Sequence, residues 1–202
     1  ISLWPGNQDA QLWIDGGVLD FKDQGIHLND NYNLLEVIAG GVIRTTGSFI
    51  GERNDFTPVG GYVELYGNGN VSLSHGIGGG LFDLHINKST SSDKVSVIQN
   101  LDLDHNLSVL SGNLDINGRT VDVAGDADIT GKLSMTLESS ELNVVSDITW
   151  LPGSSSNITN GQISFRGNWT YSNGTNASLT GANTLTVEGS SNSLLLNNDP
   201  DA

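Results

Sequence analysis

Four aspartates alternate with apolar residues in two short words, Leu101-Asp102-Leu103-Asp104 and Asp126-Ala127-Asp128-Ile129. In an extended chain, alternate side chains fall on one face, so each word sets two carboxylates side by side, roughly 6.5–7 Å apart. Oxygen ligands so spaced suit a hard divalent cation, and calcium is the cofactor expected at Asp102, Asp104, Asp126 and Asp128, in a structural role. A pair of carboxylates is also the machinery of an inverting glycosidase. The plainer reading is a solvated strand face in an acidic protein. No other cofactor and no catalytic residue is expected.

A second constellation is aromatic. Trp169 and Tyr171 share one side of a strand near the C-terminus, close to Trp150 and Phe165. If that side faces outward, Trp169 and Tyr171 form a platform on which a sugar ring can stack; if inward, they fill the core. The four histidines, His27, His75, His85 and His105, lack metal-site spacing. No serine sits in a G-x-S-x-G elbow, and Gly76-Ile77-Gly78-Gly79-Gly80 has no following lysine, so it reads as a turn rather than a phosphate loop.

Charge narrows the partners. The 202 residues carry a formal net charge of −15, with eight Lys and Arg spread thinly along the chain. Nucleic acid affinity rests on phosphate neutralisation, so no nucleic acid partner is expected. There is no cysteine, hence neither disulfide nor thiolate metal site. No apolar run approaches the ~18 residues of a membrane span, and no membrane insertion is expected.

The elements that must position these residues are announced by glycine. Gly17, Gly41, Gly61, Gly80, Gly112, Gly131, Gly161 and Gly181 each open a short stretch of alternating apolar and polar residues, at offsets of about 24, 20, 19, 32, 19, 30 and 20 residues. A strand repeated every ~20 residues, with no helical pattern between copies, marks a solenoid. Gly112 to Gly131 shows the unit: Leu114 and Ile116, a turn at Asn117-Gly118, Val121 and Val123, a turn at Gly125, then Ala127 and Ile129. Strands this short do not make stable isolated hairpins, whereas stacking coil on coil pairs them all in parallel. The expected fold is all-β, a right-handed parallel β-helix (solenoid) of about 8–10 coils, with the single domain spanning 1–198. Residues 1–33 read as an irregular N-terminal coil or cap, and 199–202 as the start of a linker. Leu114, Ile116, Val121, Val123, Ile129, Leu133, Met135, Ile163, Phe165, Leu185 and Val187 are the expected core. The two long offsets are read as surface loops within 86–106 and 137–160, or as extra coils built on Val95–Ile98 and Leu142–Val145.

The succession of words from Asn54-Asp55-Phe56-Thr57-Pro58 through Gly60-Gly61-Tyr62-Val63-Glu64-Leu65-Tyr66-Gly67 and Phe82-Asp83-Leu84-His85-Ile86-Asn87, then Leu107 to Gly125, resembles repeats in large secreted and cell-surface proteins of Bacteroidetes-type bacteria. The similarity covers about Asn54 to Asn198. It implies a parallel β-helix in an extracellular or cell-surface protein, with flanking domains of the same precursor as partners. It implies no chemistry. The function expected is a structural stalk or scaffold segment; the alternatives are a carbohydrate-binding or adhesive module with cell-surface or environmental glycans as ligands, and a polysaccharide-active enzyme.

Overall fold

The structure is a computed structural model and describes residues 10–28, 33–38, 40–51, 58–75, 80–172, 174–189 and 194–196. Every regular element among them is a strand. In chain order they are β1 (Ala10–Asp15), β2 (Val18–Asp20), β3 (Ile26–Leu28), β4 (Asn33–Ile38), β5 (Val42–Thr45), β6 (Phe49–Gly51), β7 (Tyr62–Gly67), β8 (Val71–Ser74), β9 (Asp83–Lys88), β10 (Lys94–Val97) and β11 (Leu101–Leu103). Then follow β12 (Leu107–Ser111), β13 (Asn113–Asp115), β14 (Thr120–Val123), β15 (Ala127–Ile129), β16 (Lys132–Met135), β17 (Glu141–Val144), β18 (Ile148–Trp150), β19 (Ser155–Phe165), β20 (Trp169–Tyr171), β21 (Leu179–Val187) and β22 (Leu194–Leu196).

The chain winds through three faces per turn. Face one is a nine-stranded ladder, β2-β5-β7-β9-β12-β15-β18-β20-β22, one strand per coil. Face two stacks β3, β6, β8, β10, β13, β16 and the first part of β19; face three stacks β11, β14, β17 and the second part of β19. β21 lies along both parts of β19, and β1 pairs with β4. Every pairing is parallel, as a coil stacked on a coil of the same sense requires. The all-β solenoid expected from the glycine repeat is therefore present, with about seven turns. Residues 1–9 of the expected cap and the expected linker at 199–202 lie outside the described residues.

Register makes the core columnar. On face one, Ile43, Val63, Leu84, Leu107, Ala127, Ile148 and Trp169 stand directly above one another, and Thr45, Leu65, Ile86, Val109, Ile129, Trp150 and Tyr171 form the next inward column. Apart from Tyr171, all of these are buried. A three-residue strand offers only two inward side chains, so stability comes from columns, each buried Leu or Ile contributing about 1.5–3 kcal/mol. One hydrophobic cluster runs without a break from Ile14 to Trp169. Nine of the eleven expected core residues are at most 2% exposed. Leu185 and Val187 are not: they stand in register over Ile163 and Phe165 but are 36% and 51% exposed, because no described strand lies above β21.

Neither reading of the two long glycine offsets holds. The coil-to-coil step on face one is nearly regular: Val63 pairs with Leu84, Leu84 with Leu107, Leu107 with Ala127, and Ala127 with Ile148. The glycines are not equivalent positions. Gly17, Gly41 and Gly61 precede face-one strands, Gly112 and Gly131 precede face-two strands, and Gly161 opens the face-three part of β19. A long offset is the marker moving from one corner to another. Val95–Val97 and Leu142–Val144 are ordinary strands, β10 and β17, of turns already counted.

Two corners show why glycine is needed. Gly112 has φ +86, and a Cβ there would lie 2.4 Å from the Cβ of Lys88 one coil below. Asn117 and Gly118 have φ of 54 and 72, the left-handed pair expected for their turn.

Candidate functional site

The carboxylates considered for calcium are distributed over different parts of the coil. Asp102 is exposed on face three, in register with Asp122, which receives a 2.7 Å hydrogen bond from Asn143 Nδ2 of the next coil. The backbone N–H of Asp102 donates to His75 Nε2 at 2.7 Å. Asp104 lies past the strand end, packed over Gly80. Asp128 stands on the outer row of face one, with its pKa pushed up by the protein packed around it and then by the carboxylates of Asp126 and Asp147. Among the described residues no group of three or more His, Cys, Asp or Glu is arranged to hold a metal ion, so the structure does not gather these aspartates into one ligand set.

Asp126 belongs to a different construction. At the corner entering face one, successive coils place Asp83, Asn106, Asp126, Asp147 and Asn168 in line. The backbone N–H of each donates to the side-chain Oδ1 of the one below: Asn106 to Asp83 at 2.7 Å, Asp126 to Asn106 at 2.8 Å, Asp147 to Asp126 at 3.0 Å, and Asn168 to Asp147 at 2.6 Å. The ladder is an unbroken side-chain rail parallel to the strands' own hydrogen bonds. It fixes the neighbours: a Cβ on Gly125 would fall 2.3 Å from Asn106 Oδ1, and one on Gly167 would fall 2.1 Å from Asp147 Oδ1. Carboxylates that accept N–H bonds need no cation to be tolerated there.

Trp169 and Tyr171 are not an outward platform. Both lie in inward columns, Trp169 at 2% exposure, packed against Trp150 and Phe165 with ring centroids 5.9 and 5.5 Å away. Tyr171 is half-buried, its hydroxyl donates to the carbonyl of Ala177, and burial raises its pKa to about 12. The wide rings fill the last turns of the core, and the outward position on that strand belongs to Thr170.

The densest outward chemistry sits on face one over the early coils, where sequence reading placed none. Arg44, Glu64 and His85 are vertical neighbours on the outer row. Arg44 lies 3.3 Å from Asp20 and 3.6 Å from Glu64, and its guanidinium rests over the Tyr66 ring at 4.0 Å. Tyr66 Oη donates to Asp20 at 2.8 Å, and Asn87 Nδ2 donates to Glu64 at 2.8 Å. Glu64 is 8% exposed although its position faces outward. Beside it, His85 stacks on Tyr62 at 4.0 Å and His105 on Phe82 at 4.8 Å, with His105 Nδ1 2.8 Å from Asp83. Burial lowers the pKa of His85, leaving it neutral at pH 7, against the opposing pull of Asp83 and Glu64. The cluster spans four coils through side chains spaced by whole turns. A period-two reading recovers which of them face outward, but not which stack.

A further cation is internal. Lys88 is 1% exposed, and its Nζ donates to the carbonyls of Tyr66 at 2.8 Å, Asn68 at 3.3 Å and Thr46 at 3.4 Å. Burial lowers its pKa. Its bonds bind the corner of its own coil to two coils below.

No protein-family profile, no curated protein and no solved structure matches the chain.

Proposed function

We propose that the chain is a spacer: a structural stalk or scaffold segment of a larger bacterial surface or secreted protein. The observation that carries this reading is the coincidence of unbroken inward columns with the Asp83–Asn168 rail, two independent devices that tie each coil to the next. The outward polar groups described above are engaged with one another across coils, which serves stiffness. The flanking partners would be other domains of the same precursor, outside the cell.

The test is to display the chain between a membrane anchor and an epitope, then excise coils one at a time. Epitope accessibility to a bulky antibody should fall with each coil removed. Accessibility independent of coil number would overturn the spacer reading. A carbohydrate-binding or adhesive module is the second reading, favoured by one observation, the stacked pairs Tyr62–His85 and Phe82–His105 beside Arg44 on an outward face. Retention on a glycan panel that Tyr62→Ala abolishes would establish it.

A further inference from the structure

β21 is an edge with the properties of an interior rung. Among the described residues it pairs only with β19, so the far edge of Leu179–Val187 has no described partner strand. Its nine residues hold no charge and no proline, the devices that keep sheet edges apart. Its apolar side chains continue the core columns yet stand open, Leu179, Leu185 and Val187 being 39%, 36% and 51% exposed. Asn183, in the middle of the strand, has a buried Oδ1 with no hydrogen-bond partner. The nearest charges, Arg166 and Glu188, neutralise each other at 3.0 Å, so this end is locally neutral on a chain of net charge −15.

We propose that this end is an interaction surface for a second copy of the chain. The opposite end does not offer a matching face, because Ile14, Phe21 and Ile26 are 7%, 8% and 3% exposed and already covered. Copies therefore meet tail to tail about a two-fold axis, which sets β21 antiparallel to its counterpart and covers Leu185 and Val187 of both. The surface at one coil's end is small for an interface, so the association is a concentration-dependent equilibrium rather than an obligate dimer. Screening of the overall negative charge strengthens it.

The experiment is sedimentation of the whole chain over a concentration series at low and high sodium chloride. The mass should move from one chain towards two as concentration rises, and further at high salt. Leu185→Lys should remain a single chain, with unchanged circular dichroism; Val18→Lys, at the other end, should associate as the parent does. A single-chain mass throughout, or a dimer that Leu185→Lys retains, overturns the proposal. Should Leu185→Lys misfold, hydrogen exchange on the parent decides: amides of 179–187 slow with concentration if the surface is right, and their indifference to concentration overturns it.

Discussion

Asp128 stands between Ser108 and Thr149 on an outer row, within reach of the fields of Asp126 and Asp147. Its raised pKa means the folded state holds this proton more tightly than the unfolded chain, so ionisation of Asp128 weakens the fold. Asp128→Asn should raise the melting temperature at pH 7, with the gain disappearing as pH falls towards 3.8, the ordinary value at which the unfolded carboxyl protonates. Thermal melts of both proteins across that range check it. His85 works in the opposite direction. Its folded pKa lies below 6.5, so the unfolded chain binds the proton first, and stability is lost as pH falls through 6.5. His85→Phe keeps a ring on Tyr62 and should flatten that part of the pH profile; a slope unchanged from the parent would place its origin elsewhere. Sequence reading placed Asp102 and Asp128 on outward faces because alternation is local. It left both orientations open for Trp169 and Tyr171, and the structure turns them inward, because which side of a strand faces the core depends on register with the coil below.

At the scale of the element, the rail of Asp83, Asn106, Asp126, Asp147 and Asn168 makes a sharp distinction between substitutions. Asn already serves at two of its positions, so Asp147→Asn should leave stability nearly unchanged. Asp147→Ala removes the acceptor for the N–H of Asn168 and should cost about 1 kcal/mol in chemical denaturation. Ile116, fully buried beside the Asn117-Gly118 turn, is the harsher test: Ile116→Asp buries an unpaired charge and should cost about 4 kcal/mol or more. The individual strands were legible from glycine followed by alternation, and β13 to β16 fall where that pattern places them. Their assignment to faces was not, because a glycine signals a corner without saying which of three corners it is. The rail was hidden for a related reason: Asp and Asn at intervals of about 20 residues look like composition until register stacks them.

For the whole molecule, the steps on face one define what can be removed. Leu107 pairs with Ala127, so deleting Leu107–Asp126 joins Asn106 to Ala127 and restores Leu84, Ala127 and Ile148 to one column. That deletion should fold, with small-angle scattering showing a particle shorter by about 4.8 Å. Removing one residue fewer turns each inward side chain of the joined strand outward and should fail to fold. The solenoid itself was the most legible level, since a repeat is a global property written in local words. The exposure of Leu185 and Val187 was the least, since a repeat cannot announce which of its copies has no neighbour.

Ladder partners on face one lie between 20 residues apart, as for Leu107 and Ala127, and 25 apart, as for Trp169 and Leu194. That near-constant separation governs how the chain reaches its fold. Each coil closes a loop of the same length, at the same entropic cost, however many coils precede it. Relative contact order therefore falls as coils are added, where in a β-sandwich it stays high and slows folding. A nascent chain can lay down each turn as its ~20 residues emerge during synthesis, on the template of the turn before.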